Sequence, residues 1–184
     1  MTPQSFNKAV FLDRDGTLIY DRHYLKDPSD VSAIPGATDG CLALQEAGFK
    51  LIVITNQSGI GRGLLTETDF FDCESALEQI FADAGVQFSG HYFCPHHPKE
   101  AMGAYLKDCE CRKPGAGMIL QGAAHFNIDL NRSFMVGDKP SDVAAGRSAG
   151  CKTIHFGSAD PDPSADLHCT DFSELVLYIL EHDQ

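Results

Sequence analysis

Apolar positions along this chain follow two alternating rhythms. Short β-prone runs occur at 9–12, 50–54, 91–93, 133–136 and 152–156, each bounded by polar or turn-forming residues. Runs of that length and composition read as buried strands. Between them the apolar spacing changes to a helical one. After Pro35-Gly36, the positions Ala37, Cys41, Leu44 and Gly48 share one face. Thr66 reads as an N-cap with Asp69 at the capping-box position, and Phe70, Leu77, Ile80 and Phe81 supply the apolar face of a helix running to about Gly85. Further helices are expected over 115–126, 142–149 and 173–181, the last with Leu175, Val176, Ile179 and Leu180 inward. Segments 20–34 and 157–165 read as loops. Strands alternating with helices imply a parallel sheet covered on both faces, a three-layer α/β architecture. No repeat or interdomain linker is visible, so 1–184 is read as a single domain.

Composition narrows the function classes. The chain has 184 residues and a formal net charge of −12, the wrong sign for a nucleic-acid surface. No apolar run is long enough to cross a bilayer. The first residues, Met1 to Ser5, carry no secretory-signal pattern. The expectation is a cytoplasmic monomer with neither membrane nor nucleic-acid partner. The seven cysteines then point to metal or plain burial rather than disulfides.

The first strand ends on Asp13-Arg14-Asp15-Gly16-Thr17. Ligands of open α/β sheets bind at the carboxyl ends of strands. Two carboxylates one residue apart repel unless a cation joins them, and Mg²⁺ suits oxygen ligands shared with phosphate. A carboxylate is also able to attack phosphorus. The arrangement suggests Asp13 as nucleophile and Asp15 as general acid and base. An ordinary Asp-Gly turn is the plainer alternative for the fragment alone. Thr55-Asn56-Gln57-Ser58 closes the second strand, where a hydroxyl and backbone N–H groups suit phosphate oxygens. Gly137-Asp138-Lys139 closes another strand; Asp138 would join Asp13 on the metal, and Lys139 would pair with Asp13 or meet substrate. Asp142 either orients that loop or caps the following helix, with the cap favoured.

Cys94-Pro95-His96 and Cys109-Glu110-Cys111 form two pairs that each skip one residue. Three sulfurs and one nitrogen make a closed structural Zn²⁺ site, with His97 as the other candidate nitrogen. Arg112 and Lys113 follow directly. A metal clip over 94–111 would hold them at a fixed point above the site. There Lys113 neutralises a transferring phosphoryl group, and Arg112 offers a planar fork to phosphate or sugar.

Taken together and in this order, Asp13-Arg14-Asp15-Gly16-Thr17, Thr55-Asn56-Gln57-Ser58-Gly59, Lys113 and Gly137-Asp138 resemble the haloacid-dehalogenase-superfamily (HAD) phosphatases. The strings Cys94-Pro95-His96-His97-Pro98, Cys109-Glu110-Cys111-Arg112-Lys113-Pro114 and Gly137-Asp138-Lys139 are similar to the zinc-loop branch that acts on heptose bisphosphates, with histidinol-phosphate phosphatases as close relatives. The resemblance implies a Rossmann-like sheet, Mg²⁺, structural Zn²⁺, an aspartyl-phosphate and a small phosphorylated-sugar substrate losing its C7 phosphate. It implies that Asp13, the Asp15 carbonyl and Asp138 bind Mg²⁺, that Thr55 and Lys113 steady the phosphoryl group, and that Arg112 and Lys139 recognise substrate. A substrate loop, Asp21-Arg22-His23-Tyr24, is implied after the first motif; members carry glycine where His23 stands. The spacing leaves no room for a cap domain, since 17–50 and 63–112 are used up by single elements and the zinc loop. The site is therefore expected to be open. Histidinol phosphate is the alternative substrate, and a zinc-knuckle nucleic-acid module the alternative of another class.

Overall fold

A computed structural model describes residues 6–157 and 160–183. Its centre is β1 (Ala9–Leu12), in which all four residues are fully buried. Side chains alternate along a strand, so Val10 and Leu12 enter one core while Ala9 and Phe11 enter the other. This is why the run is apolar throughout rather than alternating. Beside it lie β2 (Lys50–Asn56) and β3 (Gly90–Cys94) on one flank. On the other flank lie β4 (Phe134–Gly137), β5 (Lys152–Phe156) and β6 (Leu167–Cys169). The order β3-β2-β1-β4-β5-β6 is parallel throughout. Val10 pairs with Leu51 on one side and Phe134 on the other. The chain reverses its direction of progress between β1 and β4, the place where such sheets open a crevice at their carboxyl ends.

The helices are α1 (Ala37–Glu46), α2 (Ser58–Gly61), α3 (Glu67–Asp83), α4 (Gly117–Phe126), α5 (Pro140–Ala149) and α6 (Phe172–Glu181). Leu44, Leu77, Phe81, Leu175 and Ile179 from α1, α3 and α6 fill the core that receives Val10 and Leu12. Met118, Ile119 and Ala145 from α4 and α5 fill the core that receives Phe11. The capping box at Thr66 and Asp69 is formed in both directions, which satisfies donors that a helix N-terminus otherwise leaves orphaned.

Several expectations need correction. Gly48 lies outside α1 at φ +85°, turning the chain into β2. The glycine-rich segment after β2 contains one helical turn, α2, rather than loop alone. Helix α5 begins two residues before Asp142, with Pro140 in its first turn, where the missing N–H costs nothing. Leu180 is exposed rather than inward. The pattern of apolar positions does not reveal β6: three residues on the outer edge, containing a histidine, carry too little signal. The expected absence of a leader at Met1 to Ser5 lies outside the described residues. Between β1 and β2 stand only a 3₁₀ turn (Pro28–Asp30) and α1, so no cap subdomain occupies that interval.

Candidate active site

The ends of β1, β2 and β4 converge on one crevice. Asp13 follows β1 and is 4 % exposed. Lys113 reaches it across the sheet. Its Nζ lies 2.5 Å from Asp13 Oδ1 and 2.7 Å from Asp142 Oδ1, and donates to the Ile54 carbonyl at 3.0 Å. Three partners match the three protons of an ammonium. Burial alone would favour the neutral amine, but Asp13 and Asp142 hold the Lys113 pKa above the ordinary lysine value. The Lys113 backbone is fixed as well, since Asn56 accepts from its N–H and donates to its carbonyl, both at 3.0 Å. Asn56, expected among the phosphate-holding groups, lines the cavity there while its amide pairs with the Lys113 backbone.

Asp142 caps the helix as favoured and, beyond the roles read from the sequence, also pairs with Lys113. Its Oδ2 accepts from the Lys139 N–H at 3.0 Å, capping α5, while Oδ1 holds Lys113. A Cβ on Gly137 would fall 2.3 Å from the Asp142 Cβ, so only glycine lets this carboxylate approach the strand. The four-residue step from Asp138 to Asp142 is the available signal, but a helix cap explains it equally well.

Asp13, Asp138 and Asp142 each bring an oxygen to within 4.8 Å of the others. Burial, then the neighbouring Asp13, pushes the Asp138 carboxyl up to about 7. Asp13 and Asp15 are likewise raised, chiefly by burial. Asp138 Oδ1 is buried without a hydrogen-bond partner. Because Asp142 is already occupied by Lys113 and the helix cap, Asp13 and Asp138 remain as carboxylates for a cation. An orphaned oxygen between crowded acids suits Mg²⁺, whose charge reverses the local penalty.

Asp15 is not one of this group. Arg14 Nε and Nη2 donate to its two oxygens, each at 3.0 Å, and Gln57 Nε2 donates to Oδ2 at 2.8 Å. Gln57 also donates to Thr55 Oγ1 at 2.8 Å, linking the acid to the end of β2. Thr17, which closes the motif, is fully buried.

A cavity of about 310 Å³ opens over these residues, lined by Arg14, Asp15, Gln57, Ser58, Asp21, His23, Tyr24 and Lys139 among others. Lys139 is part of that lining, with Nζ 3.5 Å from Asp21 and 3.6 Å from Asp138; the expected pairing with Asp13 is replaced by these two. His23 and Tyr24 sit at φ +51° and +61°, the left-handed region that glycine enters freely. The Asp21 carboxylate accepts from the His23 N–H at 2.9 Å, and Arg62 donates to the Tyr24 hydroxyl at 3.1 Å. Arg22 lies outside the cavity lining, over the Tyr20 ring. Arg112 also lies outside it, donating to the His96 carbonyl at 3.2 Å.

Cys94, His96, Cys109 and Cys111 gather as a second cluster within 4.8 Å. The sulfurs are 3.2–3.6 Å apart, and His96 Nδ1 lies 3.3 Å from Cys111 Sγ and 3.5 Å from Cys94 Sγ. A tetrahedral Zn²⁺ with sulfurs at about 2.3 Å needs edges of about 3.7 Å, so the donor set fits with slight expansion. His97 is engaged elsewhere, its Nδ1 accepting from the Lys99 and Glu100 N–H groups. That leaves His96 as the nitrogen donor.

One buried charge is not apparent from the sequence pattern. Glu74 lies on the apolar face of α3 beside Phe70, Cys73, Leu77 and Phe81. Its Oε1 accepts from Arg14 Nη1 at 2.8 Å, and its Oε2 meets His91 Nδ1 at 2.9 Å. A carboxylate at a core position is the available signal.

Comparison with known proteins gives consistent results. Residues 110–169 match the HAD-hydrolase-like family model. A D-glycero-beta-D-manno-heptose-1,7-bisphosphate 7-phosphatase of Yersinia pestis is 45 % identical over 145 residues, covering 79 % of this chain and 77 % of that protein. The protein of the same name from Haemophilus ducreyi is 41 % identical over 179 residues, covering 94 % and 98 %. Among solved structures, the D,D-heptose 1,7-bisphosphate phosphatase of B. bronchiseptica, complexed with magnesium and phosphate, superimposes with a TM-score of 0.81 at 27 % identity, covering 95 % and 98 %.

Proposed function

Because the chain belongs to the HAD-like D-glycero-beta-D-manno-heptose-1,7-bisphosphate 7-phosphatases, we propose that it hydrolyses the C7 phosphate of a heptose 1,7-bisphosphate by way of an aspartyl-phosphate on Asp13. The observation that carries this reading is the grouping of Asp13 with Lys113 and Asp138, adjoining Asp15 and Lys139 of the cavity lining. An acid placed there would otherwise be a costly core residue.

Lys113 holds one Asp13 oxygen, so the carboxylate is fixed in place before substrate arrives. Asp13 attacks phosphorus in line, forming an O–P bond as the bond from phosphorus to the sugar oxygen breaks. Asp15, protonated, passes its proton to that departing oxygen. The carboxylate so formed then takes a proton from the water that attacks the acyl-phosphate. Inorganic phosphate leaves and Asp13 is restored. Lys113 faces the charge that builds on the phosphoryl oxygens in both steps, where a preorganised cation is most effective. Asp13, Asp138 and the Asp15 carbonyl would hold Mg²⁺, which would supply further neutralisation of that charge. Thr55, Gln57 and Ser58 border the phosphoryl position, while Lys139, Asp21, His23 and Tyr24 form the sugar side. Cys94, His96, Cys109 and Cys111 would hold Zn²⁺ in a structural role, since four protein ligands would leave no vacancy for a catalytic water.

On this reading the chain is one catalytic domain, a monomer acting in the cytoplasm on a free small molecule. No helix among the described residues is long and apolar enough to cross a membrane, and the net charge of −12 disfavours nucleic acid. The test is a side-by-side measurement of kcat/KM on heptose 1,7-bisphosphate and histidinol phosphate with Mg²⁺. A preference of at least about 100-fold for the heptose ester is expected, a difference within reach of one polar recognition set. Equal or reversed preference would overturn the substrate assignment.

A further inference from the structure

Arg14 is among the most deeply buried large side chains, at 1 % exposure. Its guanidinium is flat and rigid, so holding one edge fixes the direction of the other. One edge grips both oxygens of Asp15 through Nε and Nη2. The remaining nitrogen, Nη1, is held by Glu74 at 2.8 Å. The Phe70 ring lies 5.3 Å beneath the guanidinium. Glu74 is in turn held by His91 Nδ1 at 2.9 Å. An unbroken line therefore runs from α3 and β3 to the carboxyl placed at the leaving group.

A buried ion pair is weak support for stability, because apolar residues of similar volume serve a core at least as well. Glu74 stands where α3 otherwise presents Phe70, Leu77 and Phe81. A role in stability alone does not account for charge at that position, whereas orientation does. We propose that Glu74 is a positioning residue: through Arg14 it sets the direction of the Asp15 carboxyl for proton transfer to the departing sugar oxygen. This rests on the acid–base role given to Asp15 above.

Proton donation is needed by a sugar alkoxide and hardly at all by p-nitrophenolate, a stable anion. The kcat/KM for each ester reports events up to departure of the alcohol. A misdirected acid therefore slows the sugar phosphate selectively, while a general disturbance of the fold slows both esters alike. The experiment compares heptose bisphosphate with p-nitrophenyl phosphate in the zinc-loaded enzyme with Mg²⁺. Glu74→Ala is expected to lower kcat/KM about 30-fold on the sugar ester and less than about 3-fold on the aryl ester, within the range of general-acid contributions. Glu74→Gln, which keeps an acceptor for Arg14, is expected to recover most of the loss. If Glu74→Ala does not fold, Arg14→Lys carries the same test: it keeps the charge, loses the fork, and is expected to show the same split.

Asp15→Asn distinguishes failure of the positioning role from failure of the acid–base role. It must itself show a split, larger than that of Glu74→Ala. A split in Asp15→Asn with equal losses, or none, in folded Glu74→Ala and in Arg14→Lys would overturn the positioning role alone. No split in Asp15→Asn would overturn the acid–base role and the inference with it.

Discussion

Gly16 shows how closely the site residues are fitted. It sits at φ +89°, and a Cβ there would fall 2.3 Å from Asp138 Oδ2. Gly16→Ala therefore combines a left-handed penalty of about 1–2 kcal/mol with displacement of a metal-facing carboxylate. The expected outcome is a Mg²⁺ requirement raised at least about 10-fold, read from turnover against metal concentration, with the zinc content unchanged. At this scale the sequence is most legible where chemistry and strand ends coincide. Asp13, Asp15 and Asp138 each follow an apolar run, and the run fixes their location. Asp142 is only half legible, because a helix N-terminus accounts for the same acid. Glu74 is hidden, because a helical face is recognised by its apolar members and one charge among them does not break the period. Asn56 is partly legible: it lines the cavity as its neighbours suggest, but its pairing with a backbone fifty-seven residues away is something no local pattern reveals.

Two elements carry the site's rigidity. The Cys94, His96, Cys109 and Cys111 cluster, which could hold zinc, gathers the ends of 94–111 two residues before Lys113. Removing zinc with a strong chelator is expected to abolish turnover that added Mg²⁺ alone does not restore, while re-addition of zinc does; metal analysis should return one zinc per chain. Turnover unaffected by complete zinc loss would contradict the clip. Helix α3 ties the other flank through Glu74. Burial raises the Glu74 carboxyl, but the His91 hydrogen bond and Arg14 outweigh it, holding the group below the usual glutamate range. A depressed folded-state pKa adds stability above the unfolded value, about 4.3. That stability is lost as pH falls through the folded value. Glu74→Gln should thus be about 2 kcal/mol less stable to denaturant at neutral pH, with the difference vanishing in acid. A difference independent of pH would contradict the ionised pair. Element boundaries are less legible than element types. β6 is short and lies on an edge, α2 is a single turn among glycines, and α5 starts at a proline that also reads as a loop residue.

Across the whole molecule, the sheet order explains why distant motifs meet. β1 lies between β2 and β4, so the first, second and fourth strand ends are neighbours although Asp13 and Asp138 are far apart in sequence. Alternation of strand and helix is legible in the chain; the order of strands is not readable from periodicity and is seen only in the folded sheet. The net charge of −12 coexists with a phosphate-directed site because Lys113 and Lys139 act locally, where pairing and burial outweigh the remote field. The proposed chemistry depends on Asp13 taking the phosphoryl group. The most direct measurement is mass spectrometry of peptides from enzyme acid-quenched during turnover, with Asp13→Asn as control. The expected result is a phosphate mass on the peptide bearing Asp13, together with loss of turnover by at least about 1000-fold in Asp13→Asn. Undiminished Mg²⁺-dependent turnover in a folded, zinc-replete Asp13→Asn would contradict it.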